Sequence, residues 1–155
     1  MKKTNAMRIL DAKAINYKII NYSIEDGQID GISVSKKINK NVEEVYKTLV
    51  TRGSSNVYVF IIPVDQHLDL KKAAKVAKEK KIEFINISDI LAITGYVRGG
   101  CSPIGMKKDY KTFIQKDSLA LKEIIVSGGK IGSQIQIEPL DIKNVIDAEF
   151  VDITK

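Results

Sequence analysis

A nearly continuous run of apolar residues, 57–62, constrains the fold of this chain more than any other segment. The run reads VYVFII and is closed by Pro63, a residue that cannot donate a hydrogen bond inside a sheet. Apolar residues without polar alternation are typical of a strand that is buried on both faces. The sequence therefore predicts a buried central strand over residues 57–62.

The flanking segments predict helices and further strands. Thr4 can cap a first helix that reaches about residue 14, and Asp69 can cap a lysine-rich helix that reaches about residue 80. Shorter helices are predicted behind three further caps, Ser33, Ser88 and Asp141. The remaining predicted strands cover residues 17–23, 45–50, 82–87, 111–115, 123–127 and 133–137, with an edge strand at 150–153. Because hairpin-like and crossover connections are mixed along the chain, we expect one α/β domain, residues 1–155, with a mixed sheet.

Composition excludes several classes of function. No segment has the unbroken apolar length of a membrane span, and Arg8 and Asp11 interrupt any apolar core of a signal peptide. One cysteine and one histidine rule out an internal disulfide and a recognisable metal site. These features predict a cytoplasmic protein without a metal or another cofactor.

The formal net charge is +6, and it comes almost entirely from lysine. A basic surface attracts polyanions, although a biased genomic base composition would equally explain the wealth of lysine, isoleucine and asparagine. The scarcity of arginine argues against direct reading of guanine. If RNA binds, contacts with its shape and phosphates are therefore the favoured mode.

Two glycine-rich segments are candidates for a binding site. Residues 95–105, GYVRGGCSPIG, contain four glycines and a proline, and residues 127–130 read SGGK. Glycine permits backbone conformations that bring a ligand close to the main chain. Successive free N–H groups in such a turn suit a phosphate or a developing oxyanion. The alternative is a pair of ordinary turns.

Single side chains offer further candidates. Lys47 lies in the predicted strand 45–50 and shares a face with Leu49, so it either extends to solvent or points into a pocket. Cys101 and His67 would form a nucleophilic pair only if the fold brings them together. Ser102 is a possible hydrogen-bond donor or nucleophile in the glycine-rich loop.

Lysines cluster on one predicted helix and directly after the glycine-rich loop. They are Lys71, Lys72, Lys75 and Lys78, followed by Lys107 and Lys108. Such runs are usually solvated faces, but their position in sequence also suits a track for an RNA backbone.

In this order, the motifs resemble those of the YbaK family of aminoacyl-tRNA deacylases. The matching segments are YKTL at 46–49, DLKKAA at 69–74, GYVRGGCSPIG at 95–105, VSGGKIG at 126–132 and PLDI at 139–142. The resemblance covers nearly the whole chain. It implies a YbaK-like α/β fold, a mixed and partly closed β-barrel with helices around it.

The resemblance also implies trans-editing, the cleavage of the ester in mischarged Cys-tRNA(Pro). The substrate thiol would attack its own carbonyl, so the enzyme is formally a hydrolase or a lyase. The implied partners are the acceptor end of mischarged tRNA and prolyl-tRNA synthetase. Two alternatives stay open: deacylation of another mischarged tRNA such as Ala-tRNA(Pro) by water, and a non-catalytic module that binds tRNA or a synthetase.

Site residues follow from the same resemblance. The group expected to act on the ester consists of Lys47, Gly100, Ser102 and Asp141. The group expected to bind the substrate consists of Tyr22, Tyr46, Gly99, Cys101, Gly128 and Gly129. Within this set, Lys47 is the principal side chain, and N–H groups at residues 100–102 are expected to face the ester carbonyl.

Overall fold

The computed structural model describes residues 2–155, which form two β-sheets with helices packed against them. The five α-helices are α1 (Asn5–Ala12), α2 (Gly31–Lys37), α3 (Leu70–Ala77), α4 (Ile90–Thr94) and α5 (Pro139–Ile146). The strands are β1 (Lys18–Asn21), β2 (Tyr46–Arg52), β3 (Val57–Pro63), β4 (Glu83–Phe84), β5 (Lys111–Gln115), β6 (Ile124–Lys130), β7 (Ser133–Ile137) and β8 (Glu149–Val151). Three 3-10 turns cover Val42–Glu44, Ile87–Asp89 and Lys116–Ala120.

The first sheet confirms the predicted central strand. Its strand order is β4-β2-β3-β5-β8, and all of β3 except Val57 is buried. β3 runs antiparallel to β2 and parallel to β5, so the sheet is mixed, as expected. Ala73 and Ala74 of α3 pack in one apolar cluster with Phe60 of β3 and Phe113 of β5. Small alanine side chains let this helix lie close to the sheet.

The second sheet has three antiparallel strands in the order β1-β7-β6. A parallel bridge between Val45 and Ile125 joins it to the start of β2. Met7 and Leu10 of α1 are fully buried in the cluster that contains residues of both sheets. The expected mixed α/β class is confirmed, with the two sheets meeting at one bridge.

Two predicted helix caps match the structure. Thr4 accepts a hydrogen bond from the Met7 N–H, and Asp69 accepts from the N–H groups of Lys71 and Lys72. Helix α3 ends at Ala77, three residues earlier than expected, because Lys78 adopts the left-handed conformation.

Three other predicted caps are wrong. Helix α2 begins after Asp30, whose carboxylate accepts from the Ser33 N–H at 3.1 Å, so Ser33 lies inside the helix. Asp141 is the third residue of α5, which starts at Pro139 because a residue without an N–H suits the first helical position. Ser88 lies within a 3-10 turn, and the predicted strand at 82–87 is reduced to β4. None of the helices within residues 2–155 has the length and apolar character needed to span a bilayer.

Candidate functional site

A small cavity lies where the start of β2 meets the glycine-rich loop and the second sheet. Its volume is about 140 Å³. Its apolar lining consists of Ile29, Val34, Val45 and Val64, and its polar lining includes Lys47, Thr48, Ser127, Gln134 and Cys101. Tyr46, Gly31 and Gly99 complete the lining. A larger groove at the other end of the first sheet contains none of the predicted site residues, so the small cavity is the candidate site.

Lys47 supplies the positive charge of the cavity. It pairs in register with Ile62 of β3, on the same sheet face as Leu49 and Phe60. Burial lowers the pKa of Lys47, while the charge of Asp65 opposes that shift. A half-buried ammonium beside apolar side chains gains more from an anionic or polar ligand than a fully solvated one does. The structure therefore places this lysine in a pocket.

Two hydroxyl groups of the cavity lining have no internal partner. Tyr46 Oη and Thr48 Oγ1 are buried and make no hydrogen bond within the described part of the chain. Burial raises the pKa of Tyr46, with smaller contributions from Asp117 and Asp65, so the phenol stays protonated. Since an unpaired buried hydroxyl costs stability, both groups suit hydrogen bonds to a ligand.

Gly99 and Gly100 position the loop on one side of the cavity. Gly99 has φ +85°, a conformation that favours glycine. A Cβ atom on Gly100 would lie 2.8 Å from the backbone of Lys130 and Ile131, so only glycine lets the loop approach the β6–β7 hairpin this closely. The Gly100 N–H donates to the Val97 carbonyl at 3.0 Å, and it is therefore occupied within the loop.

Cys101 and Ser102 have different surroundings although they are neighbours. Cys101 lines the cavity, and burial raises the pKa of its thiol to about 11. Ser102 is fully buried, and its Oγ accepts from the Ile104 N–H at 3.2 Å. His67 lies in a different depression beside Asp69, so the structure does not assemble the cysteine–histidine pair.

Gly128 and Gly129 contact the first helix rather than the cavity. The Thr4 hydroxyl donates to the Gly128 carbonyl at 2.5 Å. A Cβ atom on Gly128 would lie 3.1 Å from Met7 Cε, and one on Gly129 would lie 3.0 Å from Thr4 Cβ. Ser127, one residue earlier, is the member of this segment that lines the cavity.

Tyr22 and Asp141 also lie outside the cavity lining. Tyr22 directly follows β1, and its N–H donates to the Gly132 carbonyl at 3.0 Å, beside the β6–β7 hairpin. Its hydroxyl is buried and makes no hydrogen bond to residues 2–155. Asp141 is half-buried in the first turn of α5. Of the predicted site residues, the cavity brings together Tyr46, Lys47, Gly99 and Cys101.

Sequence reasoning missed Thr48, Ser127 and Gln134 as lining residues. Ser127 and Gln134 face each other across β6 and β7, a pairing that the motifs alone do not reveal. Thr48 was detectable, because it directly follows Lys47 within the YKTL segment. A search of residues 2–155 finds no group of three or more His, Cys, Asp or Glu side chains that could hold a metal ion.

Comparison with known proteins identifies the class to which this fold and cavity belong. The sequence model of the aminoacyl-tRNA editing domain matches residues 30–145. This range contains every cavity-lining residue except Ile29. The chain belongs to the aminoacyl-tRNA editing domain family, which confirms the resemblance to YbaK proteins and identifies the protein as an aminoacyl-tRNA deacylase.

A close relative narrows the comparison. The chain is 40% identical over 154 residues to an Enterococcus faecalis protein named "Putative Cys-tRNA(Pro)/Cys-tRNA(Cys) deacylase EbsC", with 99% of this chain and 94% of the relative aligned.

Solved structures support the same fold. One, titled as a putative trans-editing enzyme for prolyl tRNA synthetase, has a TM-score of 0.85 at 19% identity over 100% of this chain and 99% of its own. A second, of a hypothetical protein, has a TM-score of 0.89 at 16% identity over 98% of this chain and 100% of its own.

Proposed function

We propose that this protein removes cysteine from mischarged Cys-tRNA(Pro) and that the small cavity binds the aminoacyl ester. The observation that carries the proposal is the position of Lys47, a partly desolvated cation in a cavity formed by the family's glycine-rich loop. The name of the Enterococcus faecalis relative supports cysteine as the amino acid.

The size of the cavity favours a small amino acid. Its volume is about 140 Å³, close to the cavity of about 150 Å³ that holds a benzene molecule of about six heavy atoms in another protein. The acyl groups of alanine, cysteine and proline have about five to seven heavy atoms, in the same range. Larger amino acids would not fit without displacing Val34, Val45 or Val64.

The nucleophile comes from the substrate in this proposal. No protein nucleophile suits the role, because burial keeps the Cys101 thiol protonated and the Ser102 hydroxyl is enclosed. The sulfur of the bound cysteine attacks its own ester carbonyl carbon, forming a C–S bond. The bond from that carbon to the ribose oxygen breaks, and the ribose oxygen takes up the proton that the thiol loses. The products are a cysteine thiolactone and uncharged tRNA.

Residues of the cavity position this reaction. The Lys47 ammonium contacts the terminal phosphate or ribose region, or the carbonyl oxygen as negative charge develops there. The Cys101 N–H makes no backbone hydrogen bond within residues 2–155 and is the loop donor available to that oxygen. The free hydroxyls of Tyr46 and Thr48 bind polar atoms of the aminoacyl group. Gly100 acts by fixing the loop, while Tyr22, Asp141 and Ser102 remain predictions of the family resemblance.

The decisive experiment compares deacylation of Cys-tRNA(Pro), Ala-tRNA(Pro) and S-methylcysteinyl-tRNA(Pro). We expect rapid turnover of the first only, because alanine and S-methylcysteine lack the free thiol. Mass spectrometry of the released product should detect the thiolactone or its trapped adduct. Equal turnover of all three substrates would indicate attack by water and overturn the proposed chemistry. Binding of tRNA without turnover of any substrate would instead favour the non-catalytic module.

The same proposal assigns partners and location. Free-standing editing acts on tRNA after the synthetase has released it, so prolyl-tRNA synthetase is the proposed protein partner and the cytoplasm the proposed location. Because small differences in amino acid size permit only limited discrimination, a separate site that removes cysteine serves a clear purpose. Co-purification of the synthetase with this protein, in the presence and absence of tRNA, tests the partnership.

A further inference from the structure

A second concave surface, which we call the basic groove, lies at the opposite end of the first sheet from the cavity. Its volume is about 790 Å³. The groove is formed by the end of β2 and the turn after it, the C-terminal end of α3, the segment before β5 and the start of β8. No part of the proposed reaction uses this surface.

The groove has a surplus of unpaired positive charge. Arg52, Lys78 and Lys108 line it, are exposed, and take part in none of the ion pairs found within residues 2–155. The fourth cation of the groove, Lys111, lies 3.4 Å from Glu149 and is therefore partly neutralised. Asp109 is the other carboxylate in the lining. An anionic ligand is the expected occupant.

Internal hydrogen bonds hold the segments that carry these cations. The Tyr58 hydroxyl donates to Glu79 Oε2 at 2.6 Å, and the Ser54 N–H donates to Glu79 Oε1 at 3.1 Å. These bonds connect the turn after β2 to the end of α3. The Tyr110 hydroxyl donates to the Ile93 carbonyl at 2.6 Å and fixes the segment before β5. The cations are thus presented by ordered backbone.

The groove and the cavity are connected by two continuous parts of the chain. Lys47 and Arg52 lie on the same strand, five residues apart, which corresponds to about 17 Å. The glycine-rich loop lines the cavity at Cys101 and continues to Lys108 in the groove. A ligand that occupies both sites must therefore be extended, and its anionic groups must continue beyond the group held in the cavity.

We propose that the basic groove binds backbone phosphates of the tRNA whose 3′ end occupies the cavity. The identity of the ligand rests on the proposed function. Lysine and arginine contacts with phosphates position an RNA without reading its sequence, so the groove would raise affinity for tRNA in general. Selection for cysteine would then depend on the cavity alone.

The test measures the affinity of uncharged, fluorescently labelled tRNA by anisotropy between about 50 and about 200 mM salt. The groove variant combines Arg52→Gln, Lys78→Gln and Lys108→Gln. We expect it to bind at least about tenfold more weakly at the lower salt concentration, with a salt slope reduced by about three, one for each lost phosphate contact.

A matched control removes the same net charge elsewhere. It combines Lys18→Gln, Lys116→Gln and Lys122→Gln, three exposed lysines that line neither the groove nor the cavity. The control should bind tRNA within about twofold of the wild type. Equal losses in both variants would show that only overall charge matters and would overturn the proposal. Tighter binding of polyglutamate than of tRNA, lost in the groove variant, would overturn it in favour of an acidic protein partner.

Kinetics separate this proposal from the proposed function. With Cys-tRNA(Pro), the groove variant should show a KM raised about tenfold at unchanged kcat, in proportion to its loss of affinity. With the cysteinyl ester of adenosine, which lacks the remaining tRNA, groove variant and wild type should react equally. If no form deacylates Cys-tRNA(Pro) while the tRNA affinities differ as expected, the proposed function fails and the groove stands. If deacylation occurs but tRNA affinity and KM do not change, the groove proposal fails alone.

Discussion

The cavity and the basic groove show how the same type of side chain serves two different tasks. In the cavity, Lys47 lies among apolar side chains, and burial lowers its pKa. In the groove, Arg52, Lys78 and Lys108 are exposed to solvent. A desolvated cation interacts strongly with one nearby group, whereas solvated cations act together at longer range and are screened by salt. The comparison assigns chemistry to the cavity and capture of the polyanion to the groove.

Removal of the cavity cation is expected to have the largest effect. In Lys47→Ala, kcat/KM for Cys-tRNA(Pro) should fall by at least about 100-fold, the usual loss when one group that stabilises a developing oxyanion is removed. Circular dichroism should show an unchanged fold, because the alanine replaces a half-buried polar side chain at the cavity surface. Turnover equal to that of the wild type would remove Lys47 from the site and break the contrast with the groove.

The next largest effect is expected from Gly100→Ala. Its Cβ would lie 2.8 Å from the backbone of Lys130 and Ile131, so the loop must move away from the hairpin. We expect a loss of about 10- to 100-fold in kcat/KM from misplacement of the loop and a lower thermal midpoint.

Gly27→Ala is the control for this loop variant. Gly27 has φ +72° and no atom within 4 Å of an added Cβ, so alanine there costs about 1 kcal/mol of stability from backbone strain alone. It should leave deacylation unchanged. A comparable loss of activity in both variants would trace the effect to global stability rather than to the loop.

The pH dependence of deacylation tests the burial of Lys47. Because burial disfavours the ammonium, its pKa lies below the ordinary 10.5, and the positive charge is lost at a lower pH than in an exposed lysine. After correction for spontaneous hydrolysis, kcat/KM should decline on the alkaline side below that value. In Lys47→Arg this decline should disappear, since arginine stays charged. An alkaline decline retained in the arginine variant would assign the titration to another group.

The smallest effect is expected at Cys101. Burial raises the pKa of its thiol from 9.0 to about 11, so the thiolate fraction at neutral pH is about 100-fold below that of an ordinary cysteine. Alkylation should be correspondingly slow, and Cys101→Ala should keep deacylation within about threefold of the wild type. An inactive alanine variant with a normal fold would restore the cysteine to the role of nucleophile.

The structural elements that were predictable depend on local composition. The apolar run of β3 and the caps Thr4 and Asp69 could be identified because burial and capping leave clear local patterns. The start of α2 at Asp30 and that of α5 at Pro139 were missed, since several polar residues within one turn compete for the cap position.

The site was predictable only where a motif coincides with the lining. Lys47 and Gly99 lie within matched segments. Gln134 reaches the cavity through its pairing with Ser127, which depends on the register of β6 and β7 and therefore on the folded chain. Gly128 shows the converse case, because a glycine motif looks the same whether the backbone approaches a ligand or, as here, a helix.

The bonds between the first helix and the two glycine-rich segments have a practical consequence. Thr4 bonds to the Gly128 carbonyl and Asn5 to the Gly105 carbonyl at 2.9 Å, so the N-terminal turn of α1 clamps both segments from outside the cavity. A purification tag or fusion partner joined to the N-terminus would sit a few residues from this clamp. A fragment starting at residue 30, where the family match begins, would keep Lys47 and Cys101 yet lose the clamp. C-terminal tagging of the full chain is therefore the safer choice for activity measurements.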